Sequence, residues 1–355
     1  MCLSLTIFLA LLWCVRTSGA AQCHRTVVTP ASAADVCPLA SHLAWSQRPI
    51  IAISRPIDLD TREALYQTWQ NGQAFPKELF YQSDSWENVS KESYQTADDL
   101  ALLTRNIDRI IKYFRHSLII ELGPGLAIRS TSLKETLTSS RTFEKTEILL
   151  QTLEAQGIHR YFIAVDVSRN SLLRAAELND KYHYITIVAI YSTFEDAIPF
   201  LHELDIRDAS IMSIGSTVTN TPWHILLARL QALGRIASQL LLGQDGPPID
   251  DDTIHSTYHT KAYQNLITTG LQLADQIIGE ELFTDARQLS CLIHRRPYSH
   301  TFQFRLKNGQ SFPAFSSIKY SESELREAFN QASFSILETF THNTMSKGHP
   351  HIIKF

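Results

Sequence analysis

Two acidic residues, Glu121 and Asp166, each stand at the end of an apolar run that reads as a buried strand. The first run is Ser117-Leu-Ile-Ile-Glu121, and it continues through Leu-Gly123-Pro-Gly125. The second is Tyr161-Phe-Ile-Ala-Val-Asp166. A Gly-x-Gly turn after a parallel strand leaves backbone bare, so a ligand can approach it closely. A carboxylate at the tip of the next strand accepts hydrogen bonds from the two hydroxyls of a ribose. The same position suits a plain helix N-terminal charge. Both readings of Asp166 stand on local grounds.

The turn lacks the third glycine of a dinucleotide fingerprint, and no P-loop lysine follows it. A nucleoside without phosphates therefore fits better than NAD or ATP, which points to S-adenosylmethionine. After the third strand-like run come Thr193 and Phe194. An aromatic there either lies on an adenine face or packs its own helix, and the ring surface serves both equally. After the fourth come Gly215-Ser-Thr-Val-Thr-Asn220, small and rich in hydroxyls. The Asn220 side chain can donate and accept at once, which suits an amino-acid head group, although it could equally cap the helix beginning at Pro222. Asp250-Asp-Asp252 with His255 and His259 lacks a metalloprotease pattern and sits in a Pro-rich turn, so no metal is expected. No Gly-x-Ser-x-Gly elbow is present.

The elements that must hold these residues alternate. Strands are expected at 117–122, 161–166, 184–191, 209–214 and 238–243, separated by helices at 144–156, 168–180, 195–204 and 222–236. That alternation predicts a parallel, doubly wound α/β sheet. Gly157 should stop the first of these helices and Ser168 cap the second. Helices are expected at 59–70 and 97–114, with an aromatic-rich connection between them from Phe80 to Tyr94. After residue 244 the pattern changes. A turn-rich break leads to a long helix ending at Gly279, then to strand-like alternation from Leu289 to Tyr320 with a hairpin at Asn308-Gly309. A helix at 323–340 closes the chain.

The 355 residues are enough for two domains, and the net charge of −4 without a basic block argues against nucleic acid as a partner. Cys2, Cys14, Cys23, Cys37 and Cys291 form no disulfide framework. Leu3 to Val15 is almost wholly apolar and Ser18-Gly19-Ala20 offers a cleavage site, so residues 1–22 read as a leader-like segment. The rest of the chain has the character of a cytoplasmic protein. Membrane association is expected only if that segment is an anchor.

The chain resembles the histidine-specific S-adenosylmethionine-dependent methyltransferase domain family, which includes ergothioneine-pathway histidine N-methyltransferases and fungal 4-dimethylallyltryptophan N-methyltransferases. The resemblance runs from about residue 56 to 340. It is carried by Leu79-Phe80-Tyr81, Glu121-Leu-Gly-Pro-Gly125, Glu144-Lys-Thr146, Val165-Asp-Val-Ser168, Gly215 to Asn220, Leu241 to Asp245, Thr257-Tyr258 and Ser317-Ile-Lys-Tyr320. It implies a Rossmann-like methyltransferase sheet with a second, discontinuous α+β domain that binds substrate. It implies S-adenosylmethionine at Tyr81, Glu121, Gly123, Gly125, Lys145, Asp166, Thr193, Phe194 and Gly215. It implies an amino-acid amine and carboxylate held by Asn220 and Tyr258, with Phe315 and Ser317 at the substrate's other end. The expected organisation is a linker at 23–55, a substrate-binding domain from 56–96 and 245–317, and a cofactor-binding domain from 97–244 and 318–355.

Two departures from the family pattern matter. Leu126 to Arg141 separates the glycine turn from the Lys-Thr of the next helix, either as a loop or as translated intron. The histidine enzymes carry a carboxylate where Phe315 stands. A carboxylate pairs with an imidazole N–H and a phenyl ring cannot; leaving that donor unpaired costs roughly 1–3 kcal/mol. The expected reaction is therefore N-methylation of the α-amine of an aromatic amino acid or derivative, in alkaloid-like secondary metabolism. The alternatives are an inactive, secreted or tethered relative that only binds a small molecule, and a methyltransferase acting on an oxygen nucleophile.

Overall fold

The computed structural model describes residues 7–14, 50–53, 61–82, 85–124, 141–247, 258–283, 287–295, 298–306 and 308–341. Its frame is an eight-stranded sheet. The strands are β1 (Ile7–Cys14), β2 (Ile51–Ala52), β3 (Leu118–Leu122), β4 (Arg160–Asp166), β5 (Ile185–Tyr191), β6 (Ala209–Ser213), β7 (Ala237–Asp245) and β11 (Phe334–Thr341), in the order β11-β1-β7-β6-β3-β4-β5-β2. β3 pairs in parallel with β4 on one side and β6 on the other. The chain thus reverses its direction of winding beside β3, where open α/β sheets bind ligands.

Every residue of β3 and of β6 is buried, the mark of parallel strands covered on both faces. In β3, Leu118, Ile120 and Leu122 enter one core cluster and Ile119 the other. The first cluster includes α6 (Phe194–Glu203), α7 (Trp223–Ile236) and α9 (Glu322–Gln331). The second includes α3 (Tyr94–Ile110), α4 (Arg141–Glu154) and α5 (Arg169–Glu177). Ser168 caps α5 by accepting from the Ser171 N–H at 3.3 Å, and Gly157 follows α4 at φ 65°, as their residue types require.

A three-stranded antiparallel sheet of β8 (Arg287–Arg295), β9 (Tyr298–Arg305) and β10 (Ser311–Ile318) lies apart from the large sheet in the order β10-β9-β8. Its core includes Phe75, Phe80, Leu266, Phe283, Phe302, Phe312 and Phe315. α8 (Lys261–Ile278) packs here, and a Cβ at Gly270 would collide with the Phe80 ring. α1 (Thr61–Gln70) and α2 (Ser85–Glu92) complete this layer.

Two sequence expectations are corrected, and two further segments contribute strands. The closing helix does not reach residue 340: it stops at Gln331, Ser333 takes φ 62°, and β11 follows. Phe334, Ile336 and Phe340 lie an even number of residues apart, which suits a strand. The aromatic connection contains α2. The leader-like segment supplies β1, antiparallel to both β7 and β11, and the expected linker supplies the short edge strand β2. An unbroken apolar run has the composition of a leader and of a strand alike. Gly125 and most of the 126–141 insertion, Asp250 to Asp252, His255 and Thr257 lie outside the described residues.

Candidate active site

A cavity of about 1010 Å³ opens at the carboxyl ends of β3 to β6, between the large sheet and the small one. Small-molecule sites span roughly 300–1,000 Å³, so there is room for a nucleoside and a second molecule together. Of the residues expected in the site, Tyr81, Gly123, Asp166, Thr193, Phe194, Gly215, Asn220, Tyr258, Phe315 and Ser317 line this one space.

The cofactor side is built on strand ends. Gly123 has φ 69° and its N–H donates to Val165 O at 2.8 Å, which fixes the turn between β3 and β4. A Cβ there would collide with the Thr217 methyl, so only glycine fits. Asp166 is buried on the cavity wall, and its Oδ1 accepts the Ser168 N–H at 2.8 Å. The helix-terminal role and a place on the ligand wall therefore coincide in one carboxylate. The Phe194 ring packs against the core, lines the cavity and carries the Arg229 guanidinium 5.4 Å from its centroid. Thr193 is the N-cap of α6, accepting from the Asp196 N–H.

Glu121 and Lys145 stand behind this wall and are not among its lining residues. Thr146 donates its hydroxyl to both Glu121 oxygens, at 3.1 and 2.9 Å. Burial pushes Glu121 up to about 8, against the opposing pull of Thr146 and Lys145 and with a smaller push from Asp166. Lys145 pairs with buried Asp99 at 3.0 Å, and its Nζ lies 3.4 Å from where a Gly215 Cβ would sit. Burial also raises the Tyr81 phenol, helped by Glu78 and Asp166, so this residue faces the cavity as a neutral hydroxyl.

Asn220 joins the two layers. It does not cap α7, whose N-cap is Pro222 with no side-chain capping bond. Its Oδ1 instead accepts from Lys77 Nζ at 2.7 Å and from the Ile318 N–H at 2.8 Å. Two donors on one atom fix that atom as oxygen. The amide nitrogen, which has no partner among the described residues, belongs to a cavity-lining side chain. This nitrogen can only donate, so it suits a carboxylate.

The far wall is aromatic. β10 shifts register against β9 between Pro313 and Ser316, so Ala314 and Phe315 together oppose Phe302. Such a bulge re-aims side chains, and both residues are buried in succession. Phe315 packs on Phe80 (centroids 4.9 Å) and Phe302 (4.7 Å). Tyr258 packs on His300 (4.2 Å) and Tyr263 (4.9 Å). His300 is wholly buried, and its ring nitrogens have no partner among the described residues. Burial, with Lys77 adding to it, lowers its pKa to about 3 and keeps it neutral.

Sequence reasoning missed three groups here. Lys77 and Lys319 line the cavity, and Lys319 is paired with buried Asp245. Gln95 lines it too and donates to Ser216 Oγ at 2.9 Å. Lys77 lies in a single 3-10 turn and Gln95 in the first turn of α3. Neither carries a periodic or motif signal, although Lys77 adjoins Leu79-Phe80-Tyr81.

A bare glycine turn, a carboxylate on the next strand and room for a second molecule lie together at the sheet's switch point, as in a nucleoside-binding α/β site. The chain belongs to the family of histidine-specific, SAM-dependent methyltransferases, whose model matches residues 59–348. The family is S-adenosylmethionine-dependent, so that is the cofactor, and Gly123, Asp166 and Phe194 line the cavity at the sheet's switch point. The chain is 25% identical over 210 residues to N-methyltransferase fsqC of Aspergillus fumigatus, covering 57% of this chain and 52% of that protein. It is 24% identical over 203 residues to Ergothioneine biosynthesis protein 1 of Neurospora crassa, covering 55% of this chain and 21% of that one. It therefore spans about half the length of the first relative and a fifth of the second. Among the described residues no helix is long and apolar enough to cross a membrane, and no group of three or more His, Cys, Asp or Glu could hold a metal.

Proposed function

We propose that this protein methylates the α-amine of an aromatic amino acid or of a derivative of one. S-adenosylmethionine supplies an electrophilic methyl on a positively charged sulfur when bound. The chain's own residues then have little bond chemistry to perform; they align and desolvate the amine nitrogen, which must be a free base to attack. Asn220 and Tyr258 hold the head group, and Tyr81 stands at the junction of the two ligands.

Phe315 carries the choice of substrate. It is 3% exposed and pressed between Phe80 and Phe302 on the cavity wall, where an imidazole N–H would find no acceptor in its ring. An indole or phenyl group loses nothing there and gains ring contact. The two relatives come from fungi, which agrees with a role in fungal alkaloid-type metabolism. A cytoplasmic site of action goes with the cofactor's supply.

Titration calorimetry tests this reading. S-adenosylhomocysteine should bind the free protein, and tryptophan-like or phenylalanine-like amino acids should bind the resulting complex more tightly than histidine. Preference for histidine would overturn the substrate assignment, and failure of S-adenosylhomocysteine to bind would overturn the activity.

A further inference from the structure

Three lysines stand beside the cavity; Lys145 and Lys319 are buried and Lys77 is half-buried. Lys145 is neutralised by Asp99 and Lys319 by Asp245. Lys77 is different. Its Nζ donates to the main-chain O of Asn220 at 2.6 Å and to Asn220 Oδ1 at 2.7 Å, both uncharged acceptors. Among the described residues it has no carboxylate within ion-pair distance. Glu78 acts on it only through space, His300 is neutral, and the nearby Arg229 is already held by Glu195 at 2.7 Å.

A half-buried ammonium without a counter-ion gives up part of its hydration without compensation. Burial, with the Arg229 charge adding to it, pulls Lys77 down to about 7, so the charge is held on the edge of being lost. An ammonium has three donors, and two are used on Asn220. Lys77 lines the cavity. The amide nitrogen of Asn220 stands on the other side of the same amide group, on a side chain that also lines the cavity, and has no partner among the described residues. Two donors flanking one amide suit the two oxygens of a carboxylate.

We propose that Lys77 is the counter-ion for the substrate's carboxylate, which it holds together with the Asn220 amide nitrogen, and that it thereby restricts the enzyme to amino acids that keep a free carboxylate. Decarboxylated amines, esters and amides of the same ring system are excluded because they leave the lysine unpaired. This rests on the proposed aromatic amino-acid substrate and adds the residue that selects its acid group.

The test uses two probes that lack an amine, 3-(indol-3-yl)propionic acid and its primary amide, titrated into the full chain with S-adenosylhomocysteine present. At about pH 6.5, where Lys77 is mostly charged, the wild type should bind the acid about tenfold or more tighter than the amide. K77M should lose that difference while binding the amide within about twofold of wild type, and K77R should keep part of it. Near pH 8, acid binding to the wild type should take up protons, seen as heats that depend on buffer ionisation, and K77M should not. S-adenosylhomocysteine affinity reports that each variant is folded. Equal binding of acid and amide by the wild type, or unchanged acid binding by K77M, would overturn this inference alone. Binding of neither probe would overturn the aromatic substrate class as well. A K77M enzyme with unchanged acid binding, and turnover restored at high pH, would instead make Lys77 the acceptor of the substrate's proton.

Discussion

The side-chain oxygen of Asn220 accepts the main-chain N–H of Ile318 at 2.8 Å, a bond that, with the Tyr320 hydroxyl donating to Thr221 O at 2.7 Å, ties the loop after β6 to the end of β10. The two residues are far apart in sequence, and both lie beside the cavity. Replacing Asn220 with Ala should raise KM for the amino acid about ten- to a hundredfold, while S-adenosylhomocysteine affinity changes only a few-fold. The cost in stability should be about 1 kcal/mol for the lost acceptor. Steady-state kinetics with calorimetry checks both.

Asp166 should act on the other ligand. An Asp166→Ala change removes a carboxylate that faces the nucleoside space, and charge-assisted hydrogen bonds are each worth roughly 1.5–3 kcal/mol. S-adenosylhomocysteine affinity should fall about ten- to a hundredfold, measured by titration, with Asp166→Asn falling less. Unaltered affinity in the Ala variant would leave Asp166 as a helix-terminal residue only.

Phe315 offers a reversal of specificity. Phe315→Glu puts a carboxylate on the aromatic wall, where the resemblance to the histidine enzymes implies one. The ratio of kcat/KM for histidine over an aromatic amino acid should rise by about tenfold or more. The new carboxylate should also destabilise the fold, because Phe80 and Phe302 leave it poorly solvated. Competition between the two substrates, read by mass spectrometry, gives the ratio directly.

Glu121 makes stability depend on pH. Its folded-state pKa, about 8, lies above the ordinary carboxylate value, so the native state holds a proton that the unfolded state releases. Stability from this group is present below about pH 4.5 and is lost as pH rises through 8. Without cofactor, the wild-type Tm should therefore fall over that interval more than the Tm of Glu121→Gln. Parallel curves for the two proteins would show that Glu121 ionises freely.

Much of this was legible in the sequence because it is periodic or sits at strand ends. The runs ending in Glu121 and Asp166 are apolar on both faces, and they do form adjacent parallel strands. The 323–340 segment misled because its apolar residues fit a helix until Ser333 turns the chain into β11. The apolar run at Ile7–Cys14 forms β1, and composition alone does not separate a leader from a strand. Lys77 was invisible for a different reason. Its proposed role rests on having no carboxylate partner among the described residues, and no local pattern records the absence of a long-range partner. The bulge at Ala314-Phe315 likewise depends on pairing with β9.

The most direct measurement is to incubate the protein with S-adenosylmethionine and tryptophan-like, phenylalanine-like and histidine substrates, and to locate any added methyl by tandem mass spectrometry. A methyl on the α-nitrogen of an aromatic amino acid, lost or strongly reduced in Asn220→Ala, is the result expected. Methyl on oxygen, on histidine alone, or on none of them would contradict the account.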